Sequence, residues 1–104
     1  MIYEMRTYRM KTGTVPAYLK LVDQEGIAVQ RGHLGQLVAY FFSDIGPLNE
    51  IVHIWAYTDL NDRASRRAGL AADPQWQTFL TKIQPLIKTM KNKILLPASF
   101  SPLS

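Results

Sequence analysis

Two periodicities divide the chain. From Ile2 to Met10 bulky and polar residues alternate, with Tyr3, Met5 and Thr7 on one parity and Ile2, Glu4, Arg6 and Tyr8 on the other, the two-residue repeat of a strand. Lys11-Thr12-Gly13-Thr14 reads as a turn, and Thr14 or Val15 opens a helix whose first turn accepts Pro16, because the amide that proline lacks has no partner there. Val15, Leu19, Val22 and Val29 recur at helical spacing and predict an apolar stripe toward the sheet. Gly26 falls on that stripe, where it implies fraying or the close approach of a neighbour. Gly32 is the expected C-cap, ending the helix near Gln30 or Arg31.

Residues 36–43 are rich in aromatics and too short for a helix, so they predict a second strand, apolar on both faces. Gly46-Pro47 marks the turn, and Glu50 to Tyr57 returns as a third strand with almost no polar position. One parity of that strand carries Ile51, His53, Trp55 and Tyr57, and the other Val52, Ile54 and Ala56; a strand apolar on both sides is central and covered twice. Thr58 and Asp59 are N-cap choices for a helix that stops at Ala72-Asp73-Pro74, where Asp73 and Pro74 open another carrying Trp76, Phe79, Leu80 and Ile83. Pro85 and Leu86 close it. Residues 88–96 form the last strand, and residues 98–104 a tail that pairs or drapes over a partner.

Strand, helix, strand, strand, helix pair, strand is the split βαβ pattern of an α+β, ferredoxin-like fold: βαββαβ, with a four-stranded antiparallel sheet and its helices on one face. Helices cover one sheet face, and apolar residues on both parities of the central strands call for a second cover. The expectation is a homodimer packed sheet against sheet.

At 104 residues the chain is expected to be a single domain, residues 1–104, long enough to bury roughly 60–70% of its unfolded surface. Zero cysteines exclude disulfides, a thiolate nucleophile and cysteine-based metal sites. No leader-like or membrane-spanning run stands out, so a soluble, cytoplasmic protein with no membrane partner is expected. Net charge is +4, yet the only dense cationic cluster is Arg63, Arg66 and Arg67. That pattern fits a solvated basic surface better than a nucleic-acid partner.

Five residues carry the candidate chemistry. His53 shares a strand face with Trp55 and Tyr57 and can act as a base or ligand, or as a hydrogen-bonded core histidine, the commoner role. Tyr8 lines a pocket with Trp55 or merely fills it. Arg63 and Arg67, on one helical turn with Arg66, can grip a carboxylate or phosphate, or pair with Asp59, Asp62 and Glu50. Arg63 is expected at the mouth of a pocket between helix and sheet. His33 is placed in a loop, and two histidines without cysteine do not make a tight metal site, so no cofactor is expected.

Ile2-Tyr3-Glu4-Met5-Arg6-Thr7-Tyr8, Gly46-Pro47-Leu48-Asn49-Glu50, His53-Ile54-Trp55-Ala56-Tyr57, Asp62-Arg63 and Asp73-Pro74-Gln75-Trp76 resemble the NIPSNAP family in order along almost the whole chain. Thr12 departs from the proline common there. The resemblance implies the dimeric α+β-barrel superfamily, whose members include cofactor-free monooxygenases and haem-degrading proteins. The expected function is binding of a small apolar or anionic ligand in a pocket between sheet and helices. The rivals are a monooxygenase-like or haem-binding enzyme using His53, Tyr8 or Trp55, and a purely structural module.

Overall fold

The computed structural model describes all of residues 1–104. Its strands are β1 (Ile2–Met10), β2 (Gln36–Phe42), β3 (Glu50–Tyr57) and β4 (Ile87–Leu95), and they form one sheet in the order β2-β3-β1-β4. All three pairings are antiparallel, so the expected ferredoxin-like α+β arrangement is the observed one. The helical segments are α1 (Val15–Leu21), α2 (Ile27–Leu34), α3 (Leu60–Ala72) and α4 (Pro74–Ile83).

The register sorts the sheet into two faces. Tyr8 opposes Ile51, Arg6 opposes His53, Glu4 opposes Trp55 and Ile2 opposes Tyr57, and this parity lies under the helices. Ile51, His53, Trp55 and Tyr57 are fully buried there, packed with Tyr18, Val22, Leu34, Leu70, Trp76, Phe79 and Ile83. The opposite parity, with Met5, Thr7, Val52 and Ile54, faces away from the helices.

The first helix departs from expectation in two ways. It runs on to Leu34, and Gly35, at φ 85°, takes the C-cap role assigned to Gly32, its N–H reaching the Arg31 carbonyl at 2.9 Å. Leu34 has no exposed surface, and burying it holds the extra turn in the helix. The inward stripe is Tyr18, Val22, Gly26, Gln30 and Leu34, one position off the expected Leu19 and Val29. Successive steps of four residues drift about 40° each on a 3.6-residue helix. A π-helical turn over Val22–Gly26 absorbs that drift and keeps the stripe on the core. Gly26 is required for packing: a Cβ there would collide with the Phe79 ring.

The later boundaries follow from local chemistry. Asp59 caps α3, its Oδ1 accepting from the Asp62 N–H at 2.7 Å, and Asp73 caps α4, accepting from the Gln75 N–H at 2.8 Å. His33 lies in the last turn of α2 rather than in a loop, and its Nε2 meets Asp73 Oδ2 at 2.7 Å. Strand β2 is an edge strand, and Phe41 and Phe42 are 55% and 57% exposed in the single chain. Residues 97–104 fold back across the open face, where the Tyr3 hydroxyl donates to the Ser104 carbonyl at 2.9 Å. No helix is long and apolar enough to cross a membrane.

Candidate functional site

Strands β1 and β3 place polar side chains under the helices among otherwise apolar neighbours. Glu4 is completely buried. Its Oε2 accepts from Arg63 Nη2 at 2.7 Å, Asn92 Nδ2 at 2.6 Å and Arg6 Nη1 at 3.1 Å, while Arg67 Nη1 stands 4.0 Å from Oε1. Alternation on β1 sets Glu4 and Arg6 on one face, β4 brings Asn92 opposite Arg6, and the i, i+4 spacing on α3 puts Arg63 and Arg67 above both. Burial alone would raise the Glu4 carboxyl. The hydrogen bonds from Arg63 and Asn92 and the charges of Arg6 and Arg63 outweigh it and hold the group at about 2. Three guanidiniums therefore face one carboxylate, and the cluster keeps a surplus of positive charge.

Beside this cluster lies an aromatic one. Trp55 Nε1 donates to His53 Nδ1 at 2.7 Å, which fixes the neutral imidazole as the tautomer carrying its proton on Nε2. That Nε2–H has no partner within the chain. His53 stacks on Tyr40 at 4.5 Å and meets the edge of Tyr8 at 4.9 Å. Burial, followed by the positive charge of Arg6, pushes the imidazole down to about 3, so it is uncharged at neutral pH. The hydroxyls of Tyr18 and Tyr40 share a hydrogen bond of 2.6 Å, and burial raises both above the ordinary phenol range. Tyr8 accepts from Arg6 Nε at 3.1 Å.

A cavity of about 190 Å³ opens between these clusters and the helices. Its apolar wall includes Val22, Trp76, Phe79, Ile83 and Met90, and its polar groups are Arg6, Arg67, Gln30, Gln84 and the hydroxyls of Tyr8, Tyr18 and Tyr40. Of the five residues singled out in the sequence, Tyr8 and Arg67 line this cavity. His53 and Trp55 share their sheet face but do not line it, and Arg63 is turned onto Glu4 and does not line it either. Of the expected pairings for the arginine cluster, one forms, Arg66 with Asp62 at 2.9 Å; Arg63 and Arg67 turn inward to Glu4 instead. No three His, Asp or Glu side chains converge in a way that could hold a metal ion.

Sequence reasoning missed Glu4, Arg6, Asn92, Tyr18, Tyr40 and Gln30. One signal for the first two was available: a Glu and an Arg two apart on the strand parity that also carries Ile2 and Tyr8 must be buried together if that parity faces the helices.

A family model described as NIPSNAP matches residues 3–102. The NipSnap protein of Drosophila melanogaster is 37% identical over 102 residues, which are 97% of this chain but 36% of that protein, so the chain spans little more than a third of its relative's length. Among solved structures, a NIPSNAP family protein of Agrobacterium tumefaciens, described as having unknown function, is 63% identical at a TM-score of 0.98, covering 100% of this chain and 94% of its own. A Nitrosomonas europaea protein provisionally described as an antibiotic biosynthesis monooxygenase shares the fold at a TM-score of 0.67 and 15% identity, with 92% of this chain and 97% of that one covered. Sequence, architecture and the ordered motifs agree, and the chain belongs to the NIPSNAP family.

Proposed function

We propose that this protein is a small-molecule binding protein whose ligand occupies the cavity between the sheet and the helices. One observation carries the reading: the side chain of Gln30, a residue 5% exposed, makes no hydrogen bond within the chain, and the partly exposed Arg67, 4.0 Å from Glu4 Oε1 and beside the Tyr57 hydroxyl, borders the same largely apolar cavity. Buried polar groups in folded proteins are ordinarily satisfied, and an occupant of this hollow would satisfy Gln30 and complete the contacts of Arg67. The volume restricts that occupant to about the size of one ring with a small head group, below the roughly 300–1,000 Å³ of drug-sized sites, and haem is far too large for it as it stands.

The unit that binds is proposed to be a homodimer joined through the open sheet face. Met5, Val52, Ile54 and the exposed Phe41 lie on that face away from the helices, and a second copy would remove them from water. The enzyme reading draws less support, because, of His53, Tyr8 and Trp55, the three residues it names, Tyr8 alone lines the cavity, and His53 lies behind Tyr8 and Tyr40.

Native mass spectrometry of protein purified without added ligand tests both proposals. Two chains plus a discrete increment of small-molecule size is the expected result. A single-chain mass at micromolar concentration would refute the dimer. An empty protein that also takes up none of a library of small acids, alcohols and aromatics would refute the binding function.

A further inference from the structure

We propose that the ligand is a small monocarboxylate with a single aromatic ring or an apolar body of similar size, its carboxylate held by Arg67 and its body by the aromatic wall. The inference rests on the binding function proposed above and names the class of molecule bound.

Charge comes first. Of the three arginines around Glu4, Arg63 donates to the carboxylate at 2.7 Å, and Arg6 is committed twice, to Glu4 and to the Tyr8 hydroxyl, both at 3.1 Å. Arg67 comes no nearer than 4.0 Å to Glu4 Oε1, has only the Tyr57 hydroxyl beside it as a further polar neighbour, keeps 30% of its side chain exposed and borders the cavity. Its planar fork of donors matches a carboxylate in bidentate fashion, and the surplus positive charge of the cluster favours an anion over a neutral ligand. His53 adds no charge at neutral pH, so the one guanidinium of the three that is least committed to Glu4 calls for a singly charged head.

Shape comes second. A dry cavity of about 150 Å³ lined by aliphatic and aromatic side chains is enough to hold benzene, so about 190 Å³ takes one ring and a carboxylate. Tyr8, Tyr18, Tyr40, Trp76 and Phe79 all contribute to the wall, and Trp76 and Phe79 lie 5.2 Å apart between ring centres. These are surfaces on which an aromatic ring packs edge-on or offset.

Orientation comes third. In the Tyr18–Tyr40 pair one hydroxyl donates to the other, which leaves one phenolic proton free. With the unpartnered amide of Gln30 it supplies polar contacts beyond the Arg67 fork. A ring carrying a hydroxyl or oxo group would use them, and an unsubstituted ring would leave them to water.

Benzoate is the probe, with benzamide as its uncharged isostere and toluene as the bare ring, each titrated by calorimetry or ligand-observed NMR at neutral pH. Benzoate is expected to bind at least ten-fold more tightly than benzamide, the worth of one charge-assisted contact. Arg67→Met should abolish that preference while leaving toluene affinity within about three-fold, and Arg67→Lys should restore part of it. Circular dichroism checks that each variant is folded. Equal affinities of wild type for benzoate and benzamide, with toluene bound, would overturn the carboxylate class and leave the cavity as a binding site. Binding of none of the three would overturn both readings. A benzoate preference that survives in Arg67→Met would overturn the role of Arg67.

Discussion

Replacing Glu4 by glutamine removes the one negative charge under the helices and keeps the volume. The carboxylate is fully buried and accepts from Arg63, Asn92 and Arg6. Its pKa falls from 4.5 to about 2 in the fold, and at about 1.4 kcal/mol per unit the folded environment favours the charged form by about 3 kcal/mol. Glutamine keeps some hydrogen bonding but turns an NH₂ toward guanidiniums that have lost their counter-ion, so a cost of about 3–5 kcal/mol is expected. That is a large part of the roughly 5–15 kcal/mol that holds a domain of this size, and it corresponds to a fall in melting temperature on the order of 10–20 °C. The pH dependence carries the sign. A carboxyl whose pKa is depressed in the fold gives stability that is complete above pH 4.5 and is lost as pH falls toward 2, because the unfolded chain takes up the proton first. Urea unfolding of wild type and Glu4→Gln at a fixed protein concentration should give a stability gap of about 3 kcal/mol at pH 6. The gap should narrow by about 1.4 kcal/mol at pH 3.5. A gap below about 1 kcal/mol, or one that widens on acidification, would refute the argument that the arginines are held in place by this carboxylate.

Three further outcomes follow from the same geometry. His53 is neutral and held down to about 3, so the unfolded chain binds its proton from about pH 6.5 downward and the folded chain does not; stability should decline by up to about 1.4 kcal/mol per unit between pH 6 and 5, and this contribution should be missing in His53→Gln. Gly26→Ala should destabilise by about 1–3 kcal/mol despite the helix propensity of alanine, because its Cβ meets the Phe79 ring, and Gly26→Ala with Phe79→Leu should cost less than the two separately; a stabilised Gly26→Ala in urea unfolding would contradict that packing. Val52→Lys, on the sheet face away from the helices, should convert the proposed dimer to a single chain in light scattering while leaving far-UV circular dichroism unchanged; an unaltered mass would count against the open face as the interface.

Much of the fold was legible because it rests on local rules. The period-two pattern of Ile2–Met10, the caps at Asp59 and Asp73, and Pro74 at a first helical position each act within a few residues and read the same in sequence and in structure. The first helix was read less well, because a π turn is a response to packing: Tyr18, Val22, Gly26, Gln30 and Leu34 recur every four residues, and only the sheet beneath them and the Phe79 ring against Gly26 explain why the helix widens to keep them in line. The site divided along the same boundary. Tyr8, His53 and Trp55 stood out as aromatic or titratable residues on apolar strands, and the two-residue spacing of His53 and Trp55 was enough to set those two on one face. Glu4, Arg6 and Asn92 did not stand out, since charge on a strand ordinarily marks the solvent face. Only the β1–β3 and β1–β4 registers show that this face lies under α3, where Arg63 and Arg67 reach the carboxylate from 59 and 63 residues away along the chain.

Backbone amide shifts of the labelled protein on titration with benzoate test the central claim, a ligand site between sheet and helices, most directly. Shifts that saturate and concentrate on Tyr8, Gln30, Tyr40, Arg67, Trp76 and Ile83 are predicted, with Met5, Val52 and Ile54 on the far face unmoved. Saturating shifts confined to the open face or to residues 97–104, or none at millimolar benzoate, would contradict it.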